Sequence, residues 1–322
     1  MRSRRFQNTV SKSPLTLPLC MVLGAIVWFW NMHVNGLLHS DGSLAALASA
    51  VVTTYIVMET ANRFALLRIR SNMVAAVWVI GVALMPFLHH WSAGWVAVPA
   101  LAGCHYVMFH TYQDCNDSVV SIFHTFIFLG VALLAIPQLV IFVPLFYWHL
   151  FVFMRCMSWR GLWAGLVGLI LPLCFVIGWS IVVDDYTFLA GRWDSLLSTR
   201  LPAAEDYVWM SDYTSPRTLF LAFITLLSLV GIVHYLRNYY NDKIRTRMYL
   251  YIYVLQTVAC WLMIMFMPAV FDLMAPALML YASTMVAHFF ALTGTWVSNG
   301  FFCLTLLAAV ALTLLDLGIW AY

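Results

Sequence analysis

The sequence predicts an all-α fold, a polytopic bundle of about eleven transmembrane helices with the N-terminus inside the cell and the C-terminus outside. Three observations predict this fold. The 322 residues are 64% hydrophobic and 9% charged, whereas soluble domains have about 45–50% apolar and about 25% charged residues. Apolar runs long enough to cross a bilayer recur along the whole chain. Basic residues are concentrated in alternate loops between these runs.

The composition also excludes several classes of protein. A mean hydropathy of +0.89 leaves too little polar surface for a water-soluble or disordered chain. Only two of the sixteen basic residues are lysines, Lys12 and Lys243, and no polybasic surface of the kind that binds nucleic acid is present. The seven cysteines are an odd number without CxxC spacing. We therefore predict that they pack as small apolar side chains and form neither a disulfide framework nor a zinc site.

Eleven stretches have the length and apolarity of a transmembrane helix, about 20 residues for a hydrocarbon layer of about 30 Å. The first is longer than the core of a signal peptide and no small-residue cleavage site follows it, so we predict a retained anchor. In the pair 119–136 and 138–154 each half is short and Pro137 lies at the hinge, which allows two full crossings or a re-entrant hairpin. The predicted spans are 15–37, 43–62, 73–90, 94–112, 119–136, 138–154, 161–183, 217–236, 248–267, 276–293 and 300–319.

The loop charges predict the orientation of these spans. Cytoplasmic loops of membrane proteins carry an excess of Lys and Arg. If the N-terminus is cytoplasmic, thirteen of the sixteen basic residues lie inside, and only Arg192, Arg200 and Arg217 lie outside. We predict one integral membrane domain over 1–322, with 184–216 as its main extramembrane loop on the outer side.

Ionisable residues inside a bilayer are costly, about 2.5–3.5 kcal/mol each at a helix centre, and therefore indicate function. No Asp, Glu, Lys or Arg falls at a predicted midplane, so the usual signature of an ion-coupled transporter is missing. Among the ten histidines, His39, His89 and His90 all fall at the outer face, where their rings can converge on a ligand. No histidine pair has the HxxH, HxxxH or HExxH spacing that directs two rings at one metal, so we predict no metal site and assign no cofactor.

The outer face holds most of the remaining polar residues. Gln138 lies at the tip of the hairpin, and Asp184 and Asp185 open the outer loop. Acidic residues alternate with aromatic ones in this loop, Trp209 among them, and 193–201 is predicted to form a short interfacial helix. Carboxylates beside aromatic rings suit a sugar or an amine, which makes these polar and aromatic residues candidate ligand-binding residues. A solvated cap over the bundle explains the same composition.

Several segments carry a recognisable pattern. One contains a hinge at Pro137, a Ser-Trp-Arg turn at 158–160 and a following span with Pro172. The matching segments are 128–179, 242–247, 286–292 and 296–299. In these segments the chain resembles an uncharacterised family of Bacteroidetes polytopic inner-membrane proteins, and the similarity runs over most of the chain. The resemblance implies a multi-pass protein of a bacterial inner membrane, within the cell envelope, and implies no particular chemistry.

A second similarity concerns 130–172. A small-residue apolar run, a proline, a long aliphatic span, a basic turn and a span ending near a proline follow one another there. This order is similar to that of multi-span glycosyltransferases that use lipid-linked sugars. Those enzymes use an acidic residue in the first outer loop, and Asp41 occupies that place, which implies a catalytic role for Asp41. Their first outer loop is long and helical, whereas the loop here has about five residues.

Three functions compete on these observations, and they leave open whether the protein is an enzyme. The leading one is a transport or assembly component of the cell envelope, because apolar spans are many and no catalytic motif is present. The second is a glycosyltransferase that uses a polyprenyl-linked sugar, with Asp41 as metal ligand or base. The third is a His-ligated membrane oxygenase or haem protein. The expected partners are the lipid bilayer, a lipid-linked precursor or other membrane proteins, and not nucleic acid.

Overall fold

The computed structural model describes residues 5–34, 41–83, 85–114, 118–198 and 203–317; for Asp41, Ala204 and Ser211 only the backbone is described. These residues form helices and turns without a β-strand, which confirms the predicted all-α fold. The α-helices are α1 (Phe6–Lys12), α2 (Thr16–Val34), α3 (Asp41–Arg63), α4 (Met73–Ala83), α5 (Gly94–Met108), α6 (Ser118–Ala135), α7 (Phe142–Trp148), α8 (Trp159–Val183), α9 (Thr187–Leu197), α10 (Val208–Ser211), α11 (Pro216–Asn238), α12 (Ile244–Phe266), α13 (Phe271–Leu292) and α14 (Trp296–Asp316).

Nine helical segments in the described part of the chain are long and apolar enough to cross a membrane, as expected for a multi-pass membrane protein. The predicted number of eleven is not confirmed. The predicted spans 73–90 and 94–112 correspond to α4, with 11 residues, and α5, with 15. At 1.5 Å per residue these helices extend only about 16 and 22 Å. The nine segments are Thr16–Val34, Gly42–Arg63, Ser118–Ala135, Pro137–Met154, Trp159–Val183, Pro216–Asn241, Ile244–Phe266, Pro268–Leu292 and Trp296–Asp316.

The hairpin that the sequence left open consists of two segments of 18 residues each. α6 ends at Ala135, and Ile136 is extended before Pro137, as residues before proline generally are. The second segment combines a 3-10 turn, Pro137–Ile141, with α7 and a π turn, His149–Met154. It stops at Arg155, which adopts the left-handed conformation with φ 53°. Both halves are therefore long enough for a full crossing.

Long-range hydrogen bonds join one set of loops into what we call the basic end of the bundle. The Ser71 hydroxyl donates to the Ser11 carbonyl, and the amide of Gln113 donates to the carbonyl of Met154 at 2.9 Å. The Thr246 hydroxyl lies 3.4 Å from the carbonyl of Ala65. The basic residues in these loops and adjoining helix ends are Arg5, Lys12, Arg63, Arg68, Arg70, Arg155, Arg160, Arg237, Lys243, Arg245 and Arg247.

The opposite loops form what we call the acidic end. Arg192 of α9 donates to the carbonyl of Ala135 at 2.8 Å, and the Tyr207 hydroxyl donates to the carbonyl of Met265 at 2.7 Å. Trp209 packs against Phe271 at the start of α13, with ring centroids 4.7 Å apart. The outer loop of the sequence analysis and the basic turn before α12 therefore lie at opposite ends of the bundle, as the alternation of spans predicts.

α13 forms the centre of the bundle. Of the 18 most apolar consecutive residues in its span, 83% are buried, against 17% in α8 and 22% in α14. It packs against α4, α5, α11 and α12, while α8 packs mainly on α6 and α2 mainly on α4. Close helix contact needs small residues. A Cβ on Gly231 of α11 would lie 2.6 Å from the carbonyl oxygen of Met285 of α13.

Candidate functional site

An apolar groove of about 560 Å³ lies between α2 and α14. α2 packs on α4 and α14 packs on α11, and the floor between these two walls is made by α4, α11 and α13. Leu15, just before α2, and Leu19 and Leu23 of α2 line the groove and are 50–68% exposed, so its rim faces the lipid side of the bundle. The groove follows α4 from Met73 to Gly81, about 12 Å at the helical rise, and Met85 lines it beyond the end of the helix. Its length and chemistry suit a hydrocarbon chain.

α1 lines the groove at the basic end through Phe6, Thr9 and Val10. Gln7 donates through Nε2 to the carbonyl of Phe290 at 2.6 Å and to the hydroxyl of Thr293 at 2.9 Å. The amide of Gln7 donates to Oδ1 of Asn299 at 3.0 Å. These bonds hold the first turn of α1 on the connection between α13 and α14. The Ser11–Ser71 bond holds its last turn on the loop between α3 and α4.

A polar cavity of about 790 Å³, the basic pocket, lies at the C-terminal end of α1. Three cationic side chains line it, and no Asp or Glu belongs to its lining in the part of the chain that the structure describes. The side-chain amides of Asn62 and Asn72 also line the pocket, and Nδ2 of Asn62 donates to Oδ1 of Asn72 at 3.3 Å. The lining residues are Lys12, Ser13, Pro14, Met58, Ala61, Asn62, Ala65, Leu67, Arg68, Ile69, Arg70, Ser71 and Asn72.

The groove and the basic pocket adjoin each other. Ser13, in the turn between α1 and α2, lines both cavities. An apolar channel therefore ends beside Lys12, Arg68 and Arg70. This arrangement suits an amphipathic molecule with a hydrocarbon chain and an anionic headgroup, since Arg and Lys are the side chains that bind phosphate.

Arg68 is held in place from behind by a buried carboxylate. Its Nε lies 2.7 Å from Oδ1 of Asp242, whose side chain is fully buried while that of Arg68 is 35% exposed. Oδ2 of Asp242 lies 3.4 Å from Nε2 of His288, which is also fully buried. A buried charge needs such partners. The acid lies directly before Lys243, the N-cap of α12, and Arg245 and Arg247 follow at the start of that helix. This isolated acid among basic residues was the one sequence signal for the cluster.

The sequence-predicted residues of the first outer turn are only partly described. His39 lies outside the described residues, and Asp41 begins α3 with only its backbone described. The start of α3 lies beside the turn that holds the other two histidines, because a Cβ on Gly42 would lie 2.8 Å from Cβ of Trp91. His90 is exposed in that turn. The catalytic assignment of Asp41 stays a prediction.

His89 has both ring nitrogens engaged in local bonds. Nδ1 accepts from Nδ2 of Asn31 at 3.0 Å, and Nε2 donates to the carbonyl of Ala83 at 3.1 Å. The ring stacks on Trp28 with centroids 3.9 Å apart. Burial lowers the pKa of His89 from 6.5 to about 4. In this conformation the ring fixes the turn after α4 and offers no free nitrogen to a metal; in the described residues no three His, Cys, Asp or Glu side chains are placed to share one.

Gln138 joins the hairpin tip to α9. Its Nε2 donates to the carbonyl and hydroxyl of Ser195, both at 3.1 Å. It lines a cavity of about 300 Å³ at the acidic end together with Asp206 and Phe266. The helix over this cavity is Thr187–Leu197, so it begins and ends earlier than the predicted 193–201, of which 199–201 lie outside the described residues.

Asp184 and Asp185 are neighbours at the end of α8, and Trp209 makes its ring contact with the start of α13. Asp184 is exposed and ends α8 in the left-handed conformation with φ 54°. Asp185 is exposed, and hydrogen bonds from Thr187 lower the pKa of its carboxyl group. Trp209 is half-buried against Phe271. The structure does not bring these candidate residues into one site with Gln138 or His89.

No family model, curated protein or solved structure matches this chain. The two sequence resemblances, to a Bacteroidetes membrane family and to glycosyltransferases, stay predictions.

Proposed function

We propose that this multi-pass membrane protein binds a lipid with a phosphate-bearing headgroup, with the lipid chain in the groove and the headgroup in the basic pocket. In this proposal it is a transport or assembly component of the cell envelope that handles such a lipid or a lipid-linked precursor. The observation that carries the proposal is the shared lining residue Ser13, which places the apolar groove next to the basic pocket.

The charges support an anionic headgroup. Among the described residues, the acid paired with one of the three cations Lys12, Arg68 and Arg70 is Asp242, which lies behind Arg68 and not in the lining. The pocket therefore keeps an excess of positive charge. Basic pockets between helices at headgroup depth are a common way of binding anionic lipids.

The proposed orientation follows from the same end of the molecule. Basic residues favour the cytoplasmic side of a bacterial inner membrane. We propose that the basic end faces the cytoplasm and that the headgroup comes from the inner leaflet. An alternative reaction at Asp41 would lie at the other end of α3, which has 23 residues and is about 33 Å long.

Native mass spectrometry of the purified protein, with dioleoyl phosphatidic acid and dioleoyl phosphatidylcholine as probes, tests the headgroup site. We expect retention of phosphatidic acid over phosphatidylcholine. Lys12→Gln with Arg70→Gln should reduce this preference by up to about a hundredfold, because two charge-assisted contacts at about 1.5 kcal/mol each are lost. Arg160→Gln removes a basic residue of the same end that does not line the pocket, and it should leave the preference unchanged.

The groove is tested by filling it. Thr305 of α14 lines the groove, and its neighbour Leu304 is 62% exposed on the outside of the same helix. We expect Thr305→Trp to abolish retention of phosphatidic acid and Leu304→Trp to leave it unchanged. Equal retention in the two variants, or equal retention of the two lipids by the unaltered protein, would contradict the proposal.

A further inference from the structure

We infer that headgroup binding in the basic pocket is linked to the uptake of one proton at His288, through the carboxylate of Asp242. The inference rests on the proposed function, because it concerns the availability of Arg68 in that pocket. It assigns Asp242 and His288 as positioning residues that set the affinity of the site and make it dependent on pH.

The backbone holds Asp242 rigidly. It follows the 3-10 turn Tyr239–Asn241, its amide donates to the carbonyl of Tyr239 at 3.0 Å, and its own carbonyl accepts from Nε of Arg247 at 2.7 Å. The carboxylate is thereby placed between Arg68 and His288, at 2.7 and 3.4 Å. One buried carboxylate is shared by a cation of the pocket and an imidazole of the core.

The titratable and charged groups around this carboxylate come from α11, α12, α13 and the loop between α3 and α4. α13 contributes His288, and α11 contributes His234, whose ring centroid lies 5.9 Å from that of His288. Tyr235 packs against His288 at 5.5 Å and donates its hydroxyl proton to the carbonyl of Arg247 at 3.0 Å. Arg247 and Lys243 belong to α12 and its N-cap, and Arg68 comes from the loop between α3 and α4.

The two histidines have room for a proton. Nδ1 of His288 and Nε2 of His234 have no hydrogen-bond partner among the described residues. With Nε2 of His288 directed at Asp242, a proton on Nδ1 would break no bond. The resulting imidazolium would lie against the carboxylate, where opposite charges stabilise each other.

An anion in the pocket changes the balance of this cluster. A phosphate group would attract the guanidinium of Arg68, which at present neutralises Asp242. The carboxylate is fully buried and would lose part of its compensating charge, which is costly in the interior. Protonation of His288 restores it. Because linkage is reciprocal, a protonated His288 must also strengthen anion binding.

The test uses decyl sulfate, whose charge is constant between pH 5.5 and 8, on the purified full-length protein. We expect its affinity to rise as the pH falls, by at most about tenfold per pH unit for one linked proton. His288→Gln should give a flat profile at the level of the unaltered protein at high pH. The matched control is His124→Gln, because His124 is an exposed histidine on α6, and it should keep the slope.

Calorimetry in buffers of different ionisation enthalpy counts the proton directly. We expect a net uptake of protons, at most one per decyl sulfate, in the unaltered protein and none in His288→Gln. Asp242→Asn should also remove the pH dependence of decyl sulfate binding. It should bind decyl sulfate more tightly at pH 8, because Arg68 then has no buried carboxylate to neutralise. If this variant does not fold, His288→Gln alone tests the inference.

A flat profile in the unaltered protein, or a slope that persists in His288→Gln, would overturn the inference. A slope that disappears only in His234→Gln would also overturn it. The proposed function fails separately: decyl sulfate would then not bind at any pH, or would bind without any dependence on Lys12 and Arg70. Binding that depends on those residues but not on pH would leave the proposed function standing.

Discussion

The two ends of the bundle each hold an Arg–Asp pair, and the pairs differ in burial. At the basic end Arg68 meets Asp242 at 2.7 Å, with the carboxylate fully buried. At the acidic end Arg217 binds Asp272 through two contacts, at 2.9 and 2.7 Å, with side chains 47% and 34% exposed. The exposed pair has the better geometry, with two nearly parallel bonds.

The pair with the better hydrogen-bond geometry is therefore not the pair that matters more for stability. An exposed pair gains little because water and salt screen it, about 0–1 kcal/mol. A buried carboxylate depends on its partner, since removal of that partner leaves a charge without compensation, at about 3–5 kcal/mol. Because of this difference in burial, we expect the protein to depend on Arg68 for stability and to depend little on Arg217. Four predictions test it, beginning with the largest effect.

Arg68→Leu should have the largest effect on stability. It leaves Asp242 buried without its cation, and we expect a loss of about 3–5 kcal/mol, measured by thermal or denaturant unfolding in detergent. The double variant with Asp242→Leu should recover most of the loss, because no buried charge is then left. If the single variant unfolds like the unaltered protein, the buried pair has no special weight.

The acidic end buries an ionisable group in the opposite way, as a neutral histidine. The folded-state pKa of His89, about 4, lies below its unfolded value of 6.5. Its contribution to stability is therefore complete above pH 6.5 and is lost as the pH falls toward 4, because the unfolded chain then binds a proton that the folded chain does not. The shift corresponds to about 3 kcal/mol.

The unaltered protein should lose unfolding free energy between pH 7.5 and pH 4.5. In His89→Gln this loss should be smaller by most of the about 3 kcal/mol assigned to His89. His90→Gln, in the exposed neighbouring position, is the control and should follow the unaltered protein. Equal acid sensitivity in both variants would show that burial of His89 does not determine it.

The long spans were predictable because apolar length is a local property of the chain. Trp159–Val183 and Ile244–Phe266, for example, lie within a few residues of the predicted 161–183 and 248–267. α4 was predicted too long, since an apolar run continues past Ala83 although the helix does not. The 3-10 turn at Pro86 depends on partners such as Asp316, whose carboxylate accepts from the amide of Phe87 at 2.9 Å, and periodicity carries no information on such contacts.

The candidate site was not predictable for a related reason. Sequence reasoning favoured polar residues of the outer face, such as Gln138 and Asp185, which the structure leaves apart. The residues that line the basic pocket come from the end of α1, from α3 and from the loop before α4. The buried carboxylate that pairs with Arg68 comes from Asp242, far away in the sequence. The arginines were interpreted only as determinants of orientation, because charge counts do not distinguish a solvated cation from one held by a distant acid.

Gly231→Ala should have an intermediate effect and sharpen the comparison. Gly231 lies one turn before His234, and its contact Met285 lies one turn before His288, so this close approach sets the distance between the two histidines. A methyl group 2.6 Å from a backbone oxygen forces the helices apart. We expect a loss of about 1–3 kcal/mol in unfolding free energy and a weaker response of anion binding to pH.

Gly178→Ala is the matched control, since nothing lies within 4 Å of a Cβ there. We expect it to be neutral or to stabilise α8 by up to about 1 kcal/mol, the difference in helix propensity. If both variants behave alike, the contact between α11 and α13 does not position the histidines.

Arg217→Gln should have the smallest effect, about 0–1 kcal/mol, because Asp272 is one-third exposed and water replaces the lost contacts. Raising the salt concentration to 1 M should remove even this difference, since the screening length then falls to about 3 Å. The same salt change should leave the cost of Arg68→Leu nearly intact, as the Asp242 carboxylate is out of contact with solvent. Unfolding curves of both variants at low and high salt measure this contrast, and a salt-insensitive loss in Arg217→Gln as large as that in Arg68→Leu would contradict the role given to burial.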